Sequence, residues 1–185
     1  MANFNIASTA QPVPLEGLPF NRHLILTASI IAGAAGANSA AVNDTLTFRV
    51  ALPAGSIVRN TILVTAAGLQ DISDAAFNSV TASVGDSGSN LNHIPAKQVA
   101  LQGTEVVVSS NDNAIAALAI SASYTQAEIQ ALRAAAATLG GRTYAAADFL
   151  TVLLTPGSGK NLKDLDAGEI RVYCQLINLD TLEIR

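Results

Sequence analysis

"TLTFRVALPAGSIVRNTILVT", residues 45–65, decides how the rest of the chain is read. Leu46, Phe48, Val50 and Leu52 alternate with Thr45, Thr47, Arg49 and Ala51, the two-residue period of a strand with one face buried. Pro53-Ala54-Gly55 then makes a turn, proline presetting φ at its first central position. A second strand follows through Ile57–Thr65.

Outward from this stretch the same grammar repeats. Residues 23–31 are rich in aliphatic and β-branched side chains and read as a strand. Further strands are expected at Ser79–Val84, Glu105–Ser109, Ile115–Ser123, Phe149–Thr155 and Glu169–Leu179. In the last, Ile170, Val172, Cys174 and Leu176 share one face. The turn clusters "GDSGSN", "SSNDN" and "TPGSGKN" separate them. Many short strands between Gly, Asn and Ser turns predict a mainly β sandwich or barrel.

Two segments depart from the pattern. "YTQAEIQALRAAAATLGG" carries Thr125 as an N-cap with Glu128 three residues on, then a stripe of Ile129, Leu132, Ala136 and Leu139 before Gly140. It predicts one inserted α-helix at about 125–139, covering an open end or edge of the sandwich. Residues 1–20 hold Pro12, Pro14 and Pro19 among isolated apolar residues without a period. They read as an extended N-terminal arm ahead of one β-sandwich domain at 21–185. Phe4, Ile6, Leu15, Leu18 and Phe20 would be wasted on solvent, so the arm straps either its own domain or a neighbour.

Composition narrows the function. The 185 residues suffice for one domain with a real core, and half are hydrophobic, so the chain is not of the disordered class. Only 13% are charged, against roughly 25% in an ordinary soluble domain. Such a shortage points to a surface covered by other chains, although a large Ala-rich core would give the same composition. Net charge is −4 with Lys and Arg scattered, so no basic stripe is present to bind nucleic acid. The apolar run Leu24–Ala37 is too short to span a bilayer, the start "MANFNIASTA" lacks the basic region of an export signal, and 4% aromatics cannot build the girdles of a membrane barrel. Solitary Cys174 excludes an internal disulfide and reads as a small buried hydrophobe.

Three stretches carry possible chemistry. "VGDSGSN", residues 84–90, contains the Gly-Asp-Ser-Gly with which some serine hydrolases present a nucleophile. A nucleophilic Ser87 needs a histidine base and an orienting carboxylate. His93 lies only six residues on and His23 in a strand-like context, so neither suits, and a turn between strands is the expectation. In it Gly85 and Gly88 take unusual backbone angles while Asp86 and Ser87 bond nearby amides. "TPGSGKN" lacks both the upstream glycine and the Ser or Thr of a phosphate-binding loop. Asp164, Asp166 and Glu169 crowd together without calcium-loop spacing, and Lys163 adds opposing charge. No catalytic, cofactor-binding or metal residue is assigned.

Four segments, "FRVALPAGSIVRNTILVTAA", "SVTASVGDSGSN", "YAAADFLTVLLTP" and "LDAGEIRVYCQLIN", stand in an order that resembles small virion proteins of tailed bacteriophages. The likeness spans residues 45–90 and 143–178. It implies a jelly-roll-like antiparallel β-sandwich that decorates or cements the outer surface of a capsid. It also implies a homotrimer, the major capsid protein as partner, no cofactor, no nucleic acid, no membrane and no enzymatic activity. On that reading the arm residues Phe4, Ile6, Leu15, Leu18 and Phe20 contact the capsid or a neighbouring subunit. The alternative is a tail- or fibre-associated module that binds a host surface. The lack of Trp and the scarcity of Tyr weigh against a glycan platform.

Overall fold

The computed structural model describes residues 2–5, 22–100, 106–109 and 142–178. In chain order the elements are β1 (Ala2–Asn5), β2 (Arg22–Thr27), α1 (Ala28–Ala37), β3 (Leu46–Leu52), β4 (Ser56–Gln70), β5 (Val80–Gly85), β6 (Ile94–Gln98), β7 (Val106–Ser109), β8 (Arg142–Tyr144), β9 (Asp148–Pro156) and β10 (Ala167–Asn178). A 3-10 turn at Leu162–Asp164 precedes the last strand.

One sheet runs β1-β3-β9-β5-β6 and the other β2-β10-β4, with β7 and β8 both lying along the remaining side of β4. The pairing is nested. β2 pairs with β10, β3 with β9, β4 with β7 and β8, and β5 with β6, all antiparallel. A long hairpin rolled up on itself has this order, and the chain is accordingly a jelly-roll-like antiparallel β-sandwich. The Pro53–Gly55 turn does not join a hairpin: it carries the chain from β3 in one sheet to β4 in the other. Gly55 has φ +70°, a left-handed value that glycine adopts without strain, and Ser56 Oγ donates to Pro53 O at 2.6 Å to close the turn.

The core is the layer between the sheets. The expected inward faces are borne out: Leu46, Phe48, Val50 and Leu52 from β3, and Ile170, Val172, Cys174 and Leu176 from β10, are all buried. Leu63, Val80, Ala82, Val84, Ile94, Leu150, Val152 and Leu154 are among the other residues packed with them. β4 keeps its inward face by a bulge: Gln175 pairs with Asn60 and Leu176 with Val58, so Arg59 is looped out and exposed while Val58 and Thr61 both point inward.

The strand expected over 23–31 ends at Thr27, and the chain continues as α1. Thr27 Oγ1 accepts from Ile30 N at 3.3 Å, an N-cap, and Asn38 closes the other end by bonding Ala34 O. Ala28, Ile31, Ala34 and Ala35 face inward, plugging the end of the sandwich where β3, β5 and β10 begin. The loop after β9 clamps it there, since Asn161 Nδ2 donates to Ala40 O at 2.8 Å. Within the arm, residues 2–5 form a regular strand rather than an unpaired extension. The expected helix at 125–139 and the strand at Ile115–Ser123 lie outside the described residues. β7 and β8 run in the same direction along β4, opposite Thr65–Ile62 and then Val58–Ser56. They are two pieces of one edge strand, and residues 110–141 are inserted between them.

Candidate functional site at the Gly-Asp-Ser-Gly turn

The turn between β5 and β6 sits at the end of the sandwich away from α1, where β8 of the opposite sheet comes near. Gly85 ends β5 because the returning loop crosses it closely: a Cβ there would lie 2.0 Å from Ser89 O and 2.4 Å from Asn90 C. The expectation that Gly85 and Gly88 adopt unusual backbone angles is corrected, since neither has positive φ. The requirement at Gly85 is space.

Asp86 follows, with its side chain 1% exposed. Its Oδ1 accepts from the backbone N of Gly88 (2.9 Å) and of Ser89 (3.2 Å) and from Asn92 Nδ2 (2.7 Å), which folds the loop around the carboxylate. Its Oδ2 accepts from Tyr144 OH at 3.0 Å and pairs with Arg142 Nε at 2.5 Å. Burial pushes the acid's pKa up, but the donors Asn92, Tyr144, Ser89 and Gly88 outweigh it and hold the carboxyl below its ordinary value. One buried carboxylate thus ties a loop of one sheet to β8 of the other.

His93 belongs to the same cluster. Its Nε2 lies 2.8 Å from Tyr144 OH. Because the tyrosine spends its proton on Asp86, Nε2 carries the hydrogen and donates, giving an ordered chain from His93 through Tyr144 to Asp86. Burial lowers the histidine's pKa to about 4, with the Arg142 charge acting in the same direction and Asp86 only partly opposing. At neutral pH the ring is uncharged. The tyrosine is held firmly protonated by burial and by the Asp86 charge it donates to.

Ser87 faces elsewhere. Its Oγ donates to Asp148 Oδ2 at 2.9 Å, not to a backbone amide as the sequence reading has it, and not to His93. Ser87 has no imidazole within reach to take its proton, since His93 has its Nε2 turned to Tyr144. The geometry therefore does not assemble a nucleophile with its base. Asp148 also accepts from Phe149 N at 2.7 Å, so the serine braces the start of β9.

The other two stretches are likewise bonded into the fold. Lys160 of "TPGSGKN" pairs with Asp74 at 2.5 Å, and Gly159 N donates to Asn43 Oδ1 at 2.7 Å. Asp166 Oδ1 accepts from Ile72 N at 2.9 Å, while Glu169 pairs with Arg171 on its own strand. Among the described residues no group of three or more His, Cys, Asp and Glu is placed to hold a metal ion. Cys174 is buried and its thiol is pushed up to about 12 by desolvation, which makes it an unreactive core residue as expected.

Of the arm residues expected at a contact, Phe4 lies in β1, in register with Phe48 of β3. Ile6, Leu15, Leu18 and Phe20 lie outside the described residues. The sequence reading missed Arg142, Tyr144 and Asp148 altogether, because a clasp between residues some sixty positions apart, two of them in the opposite sheet, leaves no spacing signal. Comparison with known proteins finds no match: no family model, no curated protein and no solved structure is similar to this chain.

Proposed function

We propose that this protein is a non-enzymatic structural subunit, a decoration or cement protein of a tailed bacteriophage that binds the outer capsid surface as a homotrimer and stabilises the shell. The observation that carries the reading is the use made of the Gly-Asp-Ser-Gly turn. Its carboxylate, serine and histidine are bonded into holding the sandwich together, with Ser87 on Asp148 and Asp86 on Arg142 and Tyr144. What remains for work is surface, on a chain with only 13% charged residues. A jelly-roll-like sandwich supports the same reading, because it is a rigid block whose flanks can be tiled against copies of itself and against a shell. Repeated around a symmetry axis, modest contacts with the major capsid protein add up by multivalency, without a cofactor or a reaction.

The test is co-sedimentation of the purified protein with phage heads, followed by electron microscopy of virions labelled with an antibody against the chain. Saturable binding and label over the head support the reading. Label on the tail supports the tail- or fibre-associated alternative, and the absence of label on virions removes both.

A further inference from the structure

We infer that β1 is an exchangeable strand: the β3 edge of one copy receives residues 2–5 of a second copy, and successive exchanges close a ring. This deepens the self-association in the proposed function by naming the two surfaces that meet.

The inference begins with the pairing. β1 lies parallel to β3, with Ala2 opposite Leu46 and Asn5 opposite Arg49, and every other strand pairing among the described residues is antiparallel. A parallel neighbour cannot be reached by a tight turn and requires a long crossover. In sequence residues 6–21 join β1 to β2, and the described residues that flank them lie close together. Asn5 is opposite Arg49 on β3, while Arg22, the first residue of β2, lines the same apolar recess as Val50, the next residue of β3. The gap to be bridged is therefore on the order of 10–15 Å, one sheet spacing plus one strand spacing. Residues 6–21 could span about 50 Å when extended. The chain is several times longer than the closed arrangement needs.

Its composition favours reach over return. Pro12, Pro14 and Pro19 favour extended backbone, which is the property of a strap that bridges molecules. The acceptor edge is made for a strand. β3 pairs with β9 on one side, and on its other side the backbone along Leu46–Arg49 takes β1 as its ladder partner. A four-residue strand holds that edge with few bonds, and a second copy's β1 supplies the same ones. Donor and acceptor are different surfaces, so each copy gives one strand and takes one; the exchange closes at two copies when it is reciprocal and as a larger ring when it runs head to tail, and the trimer of the proposed function requires the ring.

Single-cysteine variants Asn5→Cys and Arg49→Cys, register partners of β1 and β3 at a position where β3 is only half-buried, test this with a short bismaleimide cross-linker. Buried Cys174 stays silent in the background. Mixing the two variants should give a two-chain product, because only an exchanged strand brings the cysteines together. The double variant should give covalent species of two and three chains, and adding Phe4→Pro, which removes a strand donor, should abolish them. Cross-links confined to one chain, no product at all, or a two-chain product that survives Phe4→Pro would each overturn the inference. Head binding by the unmodified protein is scored separately: binding without exchange sinks only the inference, and exchange without binding sinks only the decoration reading.

Discussion

Asp86 gathers backbone N–H groups of its own loop and side chains from Asn92, Tyr144 and Arg142 around a carboxylate that water does not reach. Removing it leaves buried donors without an acceptor, so Asp86→Ala should lower stability by about 3–5 kcal/mol in urea denaturation. Ser87→Ala, one residue on, loses a hydrogen bond at the surface and should stay within about 0.5 kcal/mol of wild type. A catalytic serine would show the reverse order of importance in any activity assay. The cluster also sets a pH dependence. His93 is neutral in the fold down to about pH 4, whereas a histidine in the unfolded chain charges near 6.5. The unfolded state thus takes up protons first as pH falls, and stability present above 6.5 is lost between 6.5 and about 4, by up to about 3 kcal/mol. The lowered pKa of Asp86 adds a further loss as pH drops below the ordinary carboxylate value. Urea midpoints at pH 7 and pH 4.5 measure the drop, and His93→Gln should flatten the part that lies above pH 4.5.

At the scale of elements, what could be read from the sequence follows from the physics of each piece. The strands at 45–52 and 149–155 and the last strand, β10, have an inward apolar row at a two-residue period and appear in the fold with that row inward. In β4 a bulge breaks the period, and the buried side chains along 56–65 are Ser56, Val58, Thr61, Leu63 and Thr65. Those that escaped notice lack such a row. β6, "IPAKQ", has a proline and a lysine because it is an edge strand needing few donors, and β8 is three residues held by pairing with β4 and by Tyr144. α1 was masked by composition. Ile30 and Ile31 next to Thr27 look like a strand, and the alanines behind them show little contrast between faces because the outer positions are also small. Its inward isoleucine is the measure of whether the helix is a plug or an ornament. Ile31→Ala should cost about 2–5 kcal/mol, read as a shift in the denaturation midpoint, while Ile30→Ala, on the exposed side, should cost under about 1 kcal/mol. The turn itself was legible as a turn, through Gly85 and Asp86. Its partners were not, because Arg142 and Tyr144 lie across an insertion and in the opposite sheet.

For the whole molecule, the scarcity of ionic side chains and the rolled sandwich are two sides of one account. The interior takes the aliphatic residues in two facing rows, and among the described residues the ion pairs go to loops and strand ends, as Lys160–Asp74 and Arg171–Glu169 do. A chain with so few charges suits a block that is tiled rather than one that diffuses alone. An exchanged N-terminal strand would make such tiling obligatory and give it a head-to-tail sense. The most direct measurement is the native mass of the purified protein across a wide concentration range. The account predicts a closed assembly of three chains, each 18.9 kDa, persisting on dilution. A stable single chain at every concentration would contradict it.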